Sequence, residues 1–228
     1  QPTGMVRHVR SWTVALEVRE ISREEHLAAI ADRPSVSFLQ TPAWGEKNEL
    51  TLRLADRNQA HMFMIFPVPG QLDEDAAGLK VLREVLAGQS GLLFQDLRDT
   101  QGLAYTVSAF LWQEDLTGFL AFYIATAPDL VDAAQAGFQA AVDKLSRSPL
   151  PPEALERAKN LLWGDYHRDR QPLMARAHEA ADAVSRGLDL NHELQELDKA
   201  RAITPDALTS LVRRYLRPDQ SYLLQVLP

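Results

Sequence analysis

The chain has no cysteine. That removes disulfides, thiol nucleophiles and cysteine metal sites together, although it does not identify the compartment. There is no excess of positive charge either: 24 basic residues stand against 31 acidic ones, for a formal charge of −7. Nucleic acid and anionic membrane both select basic faces, so neither is expected as the main partner. No apolar run reaches the length of a membrane span, and the longest stretches are broken by polar residues. A phosphate-cradling loop is missing, since Gly88-Gln89-Ser90-Gly91 lacks a following lysine and sits between two expected helices. No G-x-S-x-G elbow, short-period repeat or low-complexity tract is present. What remains is a chain of 228 residues, 46% hydrophobic, long enough to bury a sizeable core. It begins at Gln1 with neither an initiator methionine nor a signal-like segment, and is expected to be a piece of something longer. A soluble protein is expected, with the cytoplasm favoured.

Periodicity divides the chain into strands and helices. Val9 to Val18 holds β-type residues, and Ser22 opens a helix with Glu25 three residues on, as in a capping box. Pro34 to Lys47 reads as a connecting loop. Two strands follow, Glu49 to Ala55 and Gln59 to Pro67, joined by a turn at Asp56-Arg57-Asn58. Asp73 caps a helix ending at Gly88. A short helix through Leu92, Leu93, Phe94 and Leu97 precedes a hairpin whose strands run from Ala104 to Gln113 and from Gly118 to Thr126. A strongly periodic helix starts at Asp129. A long helical region runs from Glu153 to Gly187, interrupted near Pro172, and a short helix lies near Leu194. Thr204 with Pro205 starts a further helix to Leu216, and Tyr222 to Leu227 closes the chain as a strand. Strand pairs and helices without a βαβα rhythm make this an α+β fold. Residues 1–48 read as an N-terminal strand, helix and linker, and 49–228 as the main α+β domain.

The six histidines offer few metal-ligand spacings. His178 and Asp182 lie four apart on one expected helix, a geometry able to hold zinc, but no second histidine falls at a matching spacing. Asp165, His167 and Asp169 alternate, which on a helix points them to different sides. Glu24-Glu25-His26 approaches the H-x-x-E-H signature of one class of metallopeptidase, but Ser22 occupies the first histidine position. No metal site is expected in this chain.

The segment from Gly91 to Tyr105 is the most informative. Arg98 falls near the end of the short helix, Gly102 stops it, and Tyr105 falls near the start of the next strand. A guanidinium and a phenol converging on one spot can hold a carbonyl or stabilise an oxyanion. The plainer alternative is an arginine that favours the helix dipole and a tyrosine that packs at a strand start.

Context favours the functional alternative. Phe94, Arg98, Gly102, Leu103, Ala104 and Tyr105 match a pattern F-x-x-x-R-x-x-x-G-L-A-Y. Upstream stand Gln59-Ala60 with the apolar strand to Pro67, then Asp75-Ala76-Ala77 and Leu86-Ala87-Gly88; downstream stands the run Glu153 to Lys159. In that order and spacing the chain resembles the insulinase/pitrilysin family of zinc metallopeptidases, the inverzincins. The resemblance covers roughly residues 10 to 227 and is most specific between 59 and 160.

The resemblance implies a mainly antiparallel sheet with helices packed on one face. It implies two homologous halves closing around a peptide substrate, with zinc held by an H-x-x-E-H-bearing partner half, fused or separate. The other half supplies an arginine and a tyrosine that contact the substrate backbone and the transition state; here Arg98 and Tyr105 fall on that pair. Lacking H-x-x-E-H, this chain looks like the substrate-binding half, inactive alone. Two departures stand out. Gly91-Leu92 replaces the family's Ser-Arg before Leu93-Phe94, and the residues before about 50 match poorly. The rivals are a catalytically inactive scaffold half of the same family, and a stand-alone domain whose closed apolar pocket, distant from Arg98, takes a small molecule.

Overall fold

The computed structural model describes residues 43–46, 48–88 and 90–228. The expected strand at Val9–Val18 and the helix opening at Ser22 lie outside the described residues. The described strands are β1 (Glu49–Arg53), β2 (Ala60–Pro69), β3 (Thr106–Gln113), β4 (Thr117–Thr126) and β5 (Tyr222–Leu227). They form one sheet in the order β1-β5-β2-β4-β3. Pairing is antiparallel except between β1 and β5, where Glu49 stands opposite Leu223.

β2 shows how the sheet is used. Ala60, Met62, Met64, Phe66 and Val68 point into the core, and the alternate positions stay half-buried on the other face. The core side receives the helices α1 (Ala76–Leu86), α2 (Val131–Arg147) and α6 (Pro205–Tyr215), which pack against β2, β3 and β4. α2 turns Ala134, Phe138, Ala141, Val142 and Leu145 inward at helical spacing, and the Phe138 ring meets Phe122 of β4 edge-on. The α+β architecture, mainly antiparallel with helices on one face, is therefore as expected.

The boundaries carry corrections. Asp73 does not cap α1; it accepts a bond from the Asp75 amide at 2.9 Å, in the turn before the helix. Asp75 stands at the cap position, and its carboxylate receives the Tyr215 hydroxyl at 2.6 Å, tying the start of α1 to the end of α6. As expected, the helical region from 153 to 187 is interrupted near Pro172, giving α3 (Pro152–Asp169) and α4 (Leu173–Ser185), separated at Gln171-Pro172 where proline lacks a donor. The helix near Leu194 is longer than expected, α5 (His192–Ala202). Thr204 caps α6 as predicted, accepting from the Ala207 amide at 3.2 Å.

Candidate functional site

Arg98 sits in a π-helical turn, Phe94–Thr100, in place of the short α-helix expected there. The widening is visible in its bonds: the Gln101 amide reaches back five residues to the Asp96 carbonyl at 3.1 Å. The Leu103 amide then closes on the Leu97 carbonyl at 2.9 Å. Single π-turns are uncommon and recur at functional positions. Gly102 ends the turn at φ +65°, a left-handed conformation that a β-carbon disfavours.

The strand after it starts late. The ladder begins at Thr106 opposite Ala125, so Tyr105 lies outside β3. The next pair in register would be Tyr105 with Thr126. Instead the buried Thr126 hydroxyl donates to the Leu103 carbonyl at 2.5 Å, and pairing stops. Tyr105 is left 76% exposed, against the expectation of a residue within the strand. From below, Gly137 of α2 lets the backbone approach Leu97 and Leu103, where a β-carbon would come within 2.8 and 3.0 Å of their methyls.

This scaffold brings the two site candidates together. The Arg98 guanidinium carbon lies 4.8 Å from the centre of the Tyr105 ring and 4.5 Å from that of Phe94. Among the described residues Arg98 has no ion-pair or side-chain hydrogen-bond partner, and the Tyr105 hydroxyl has none either. Asp96, in the same turn, is engaged by Gln101 Nε2 at 3.1 Å and by Lys144 at 3.4 Å. An uncommitted planar fork of donors thus stands beside an exposed phenol, the equipment needed to bind a carbonyl or a developing oxyanion.

The other spacings do not converge. Asp182 is held by Arg186 at 3.0 Å, and Glu179, beside His178, is ion-paired with Arg170. Asp165 and Asp169 both pair with Arg168, while the His167 ring packs edge-on against Trp163 at 4.5 Å. No group of three His, Cys, Asp or Glu residues able to hold a metal occurs among the described residues. The described residues do not fit zinc.

Comparisons with known proteins identify the family and the fold. Residues 17–162 match the family model described as peptidase M16 inactive domain. The chain belongs to that family. The match reaches upstream of residue 50, where the quoted motifs are weak. An uncharacterized zinc protease of Mycobacterium tuberculosis is 26% identical over 171 residues, 73% of this chain and 38% of that protein. One of Bacillus subtilis is 30% identical over 117 residues, 51% of this chain and 29% of its own length. Among solved structures, a protease from Helicobacter pylori superposes with a TM-score of 0.74 at 19% identity, over 86% of this chain and 48% of that one. A peptidase M16 inactive domain from Pseudomonas fluorescens gives 0.74 at 15% identity, over 86% and 47%. These likenesses show the fold. The chain thus spans well under half the length of these two curated relatives and about half of these two solved chains.

Two further features of the domain come with little or no sequence signal. The sheet face opposite the helices is apolar and open, a concavity of about 840 Å³ lined by His61, Phe63, Phe110, Trp112 and Tyr123 among others. His61 Nδ1 lies 2.8 Å from the Tyr123 hydroxyl there, and burial pushes the phenol of Tyr123 up from its ordinary value. It is a broad, open face. The second is the Phe94 ring beside Arg98, whose i, i+4 spacing on a helical turn is the one cue the sequence offered.

Proposed function

We propose that residues 49–228 act as the substrate-binding half of a two-halved zinc metallopeptidase. The observation that supports this is the uncommitted Arg98 fork 4.8 Å from the ring of an exposed Tyr105, on a π-turn braced from beneath. Arg98 grips a carbonyl of the bound peptide. Tyr105 donates its hydroxyl hydrogen to the oxygen that gains charge as the carbonyl carbon becomes tetrahedral, and it releases that bond when the carbonyl reforms. Neither residue attacks or carries a proton away; both stabilise charge and fix the orientation of the peptide. The metal is assigned to the homologous half that bears H-x-x-E-H, because zinc has no ligand set among the described residues.

The test is reconstitution. The half bearing H-x-x-E-H, from the same reading frame or a neighbouring gene, is assayed on peptides alone, with this chain, and with an Arg98→Ala, Tyr105→Phe double variant. Cleavage that requires the wild-type chain, with zinc remaining on the other half, is the expected result. Equal cleavage with the double variant would make this chain a scaffold half, the alternative of the same family. One tight zinc per molecule of this chain would overturn the division of labour.

A further inference from the structure

An arginine side chain is long and rotates about several bonds, and one held by no carboxylate samples many directions. To hold a planar carbonyl its guanidinium must present one plane at one place before the substrate arrives. Arg98 has no carboxylate to hold it among the described residues, and Tyr105 is itself largely exposed. The group left to fix it is Phe94. Its ring centre lies 4.5 Å from the guanidinium carbon, nearer than that of Tyr105. The direction is also correct, since helical side chains lean toward the preceding turn and Arg98 therefore reaches back over Phe94.

What Phe94 does not do strengthens the point. Its neighbours Leu93 and Leu97 are wholly buried in the core, whereas Phe94 stays half-buried outside that cluster. A large aromatic ring on a short turn is thus kept at the surface, with its face offered to a cation. We infer that Phe94 is the positioning residue of Arg98, holding the guanidinium in a cation–π contact in the orientation that receives the peptide. The inference rests on the substrate-binding reading of Arg98, but its physical content can be measured without any peptidase activity.

The measurement is the Arg98 Nε–H resonance in the ¹⁵N-labelled 228-residue chain. In Phe94→Leu that resonance should lose its ring-current displacement and its side-chain heteronuclear NOE should fall, with amides of the core strands unmoved. Phe94→Tyr should restore both. An Arg98 resonance unaffected by Phe94→Leu would overturn the inference. In the reconstituted two-halved enzyme, Phe94→Leu should lower kcat/KM roughly fivefold, the worth of one exposed cation–π contact, and Phe94→Tyr should recover it. If Arg98→Ala slows cleavage and Phe94→Leu does not, the positioning role fails while the substrate-binding reading survives. If Arg98→Ala has no effect while the resonance responds to Phe94→Leu, the substrate-binding reading fails and the contact stands.

Discussion

Gly137 offers the sharpest test of how the site is braced. It lies inside α2, where alanine is preferred over glycine by about 1 kcal/mol because the glycine backbone loses more freedom on folding. Propensity alone therefore predicts that Gly137→Ala stabilises the fold. The structure predicts the opposite. The new methyl would meet Leu97 Cδ2 at 2.8 Å and Leu103 Cδ1 at 3.0 Å. Both are side-chain ends that yield easily at a surface, but Leu97 is fully buried and has nowhere to move. Overpacking of this kind costs about 1–3 kcal/mol, so the balance is a net loss of up to about 2 kcal/mol. Gly164 is the control, being exposed on α3 with no atom within 4 Å of the place a β-carbon would take; Gly164→Ala should gain about 0.5–1 kcal/mol. The assay is urea denaturation of both variants beside the parent. A Gly137→Ala protein stabilised as much as Gly164→Ala would refute the claim that α2 touches the turn carrying Arg98.

Other expectations follow from the same contacts. Glu84 is almost buried, within 2.8 Å of Arg83 Nη1 but without a well-aligned hydrogen bond, and burial holds its carboxyl above the ordinary value of 4.5. The folded chain then keeps a proton that the unfolded chain has released, so stability falls as pH rises above 4.5 through the folded value. Glu84→Gln should gain on the parent as pH rises from 4.5 to 7 and lose that advantage below pH 4.5, as read from urea midpoints across this range. Thr126→Val leaves the Leu103 carbonyl without its buried donor and should cost about 1–3 kcal/mol by the same assay. Burial, with the bond to Asp75 adding to it, pushes the Tyr215 phenol up to about 12; in Asp75→Asn one tyrosine should titrate lower in an absorbance titration at alkaline pH.

Much of the site was legible before the fold. Gly102 after an apolar stripe marked the end of the turn, which local chain geometry decides; the spacing of Arg98 from Tyr105 left the pair beside a plainer alternative, and the resemblance favoured it. The late start of β3 was not legible, since it depends on Thr126, 23 residues away, taking the Leu103 carbonyl. The sheet order was hidden for a similar reason: β1 pairs in parallel with β5 across most of the chain, and no local pattern announces a partner that distant. The apolar face of Phe63 and Phe110 was ambiguous too. A nearly continuous hydrophobic run such as β2 reads as covered on both faces, whereas helices of the described chain cover only one.

The measurement that bears most directly on the central claim is the turnover of the reconstituted peptidase with Tyr105→Phe in this chain. The substitution removes one hydroxyl from an exposed ring and leaves the 4.8 Å contact with Arg98 available. Loss of a donor to the oxyanion corresponds to about 2.7–4 kcal/mol of barrier, so kcat should fall about 100- to 1,000-fold while folding and zinc content stay unchanged. Turnover equal to the parent would contradict the assignment of Tyr105 to the reacting carbonyl.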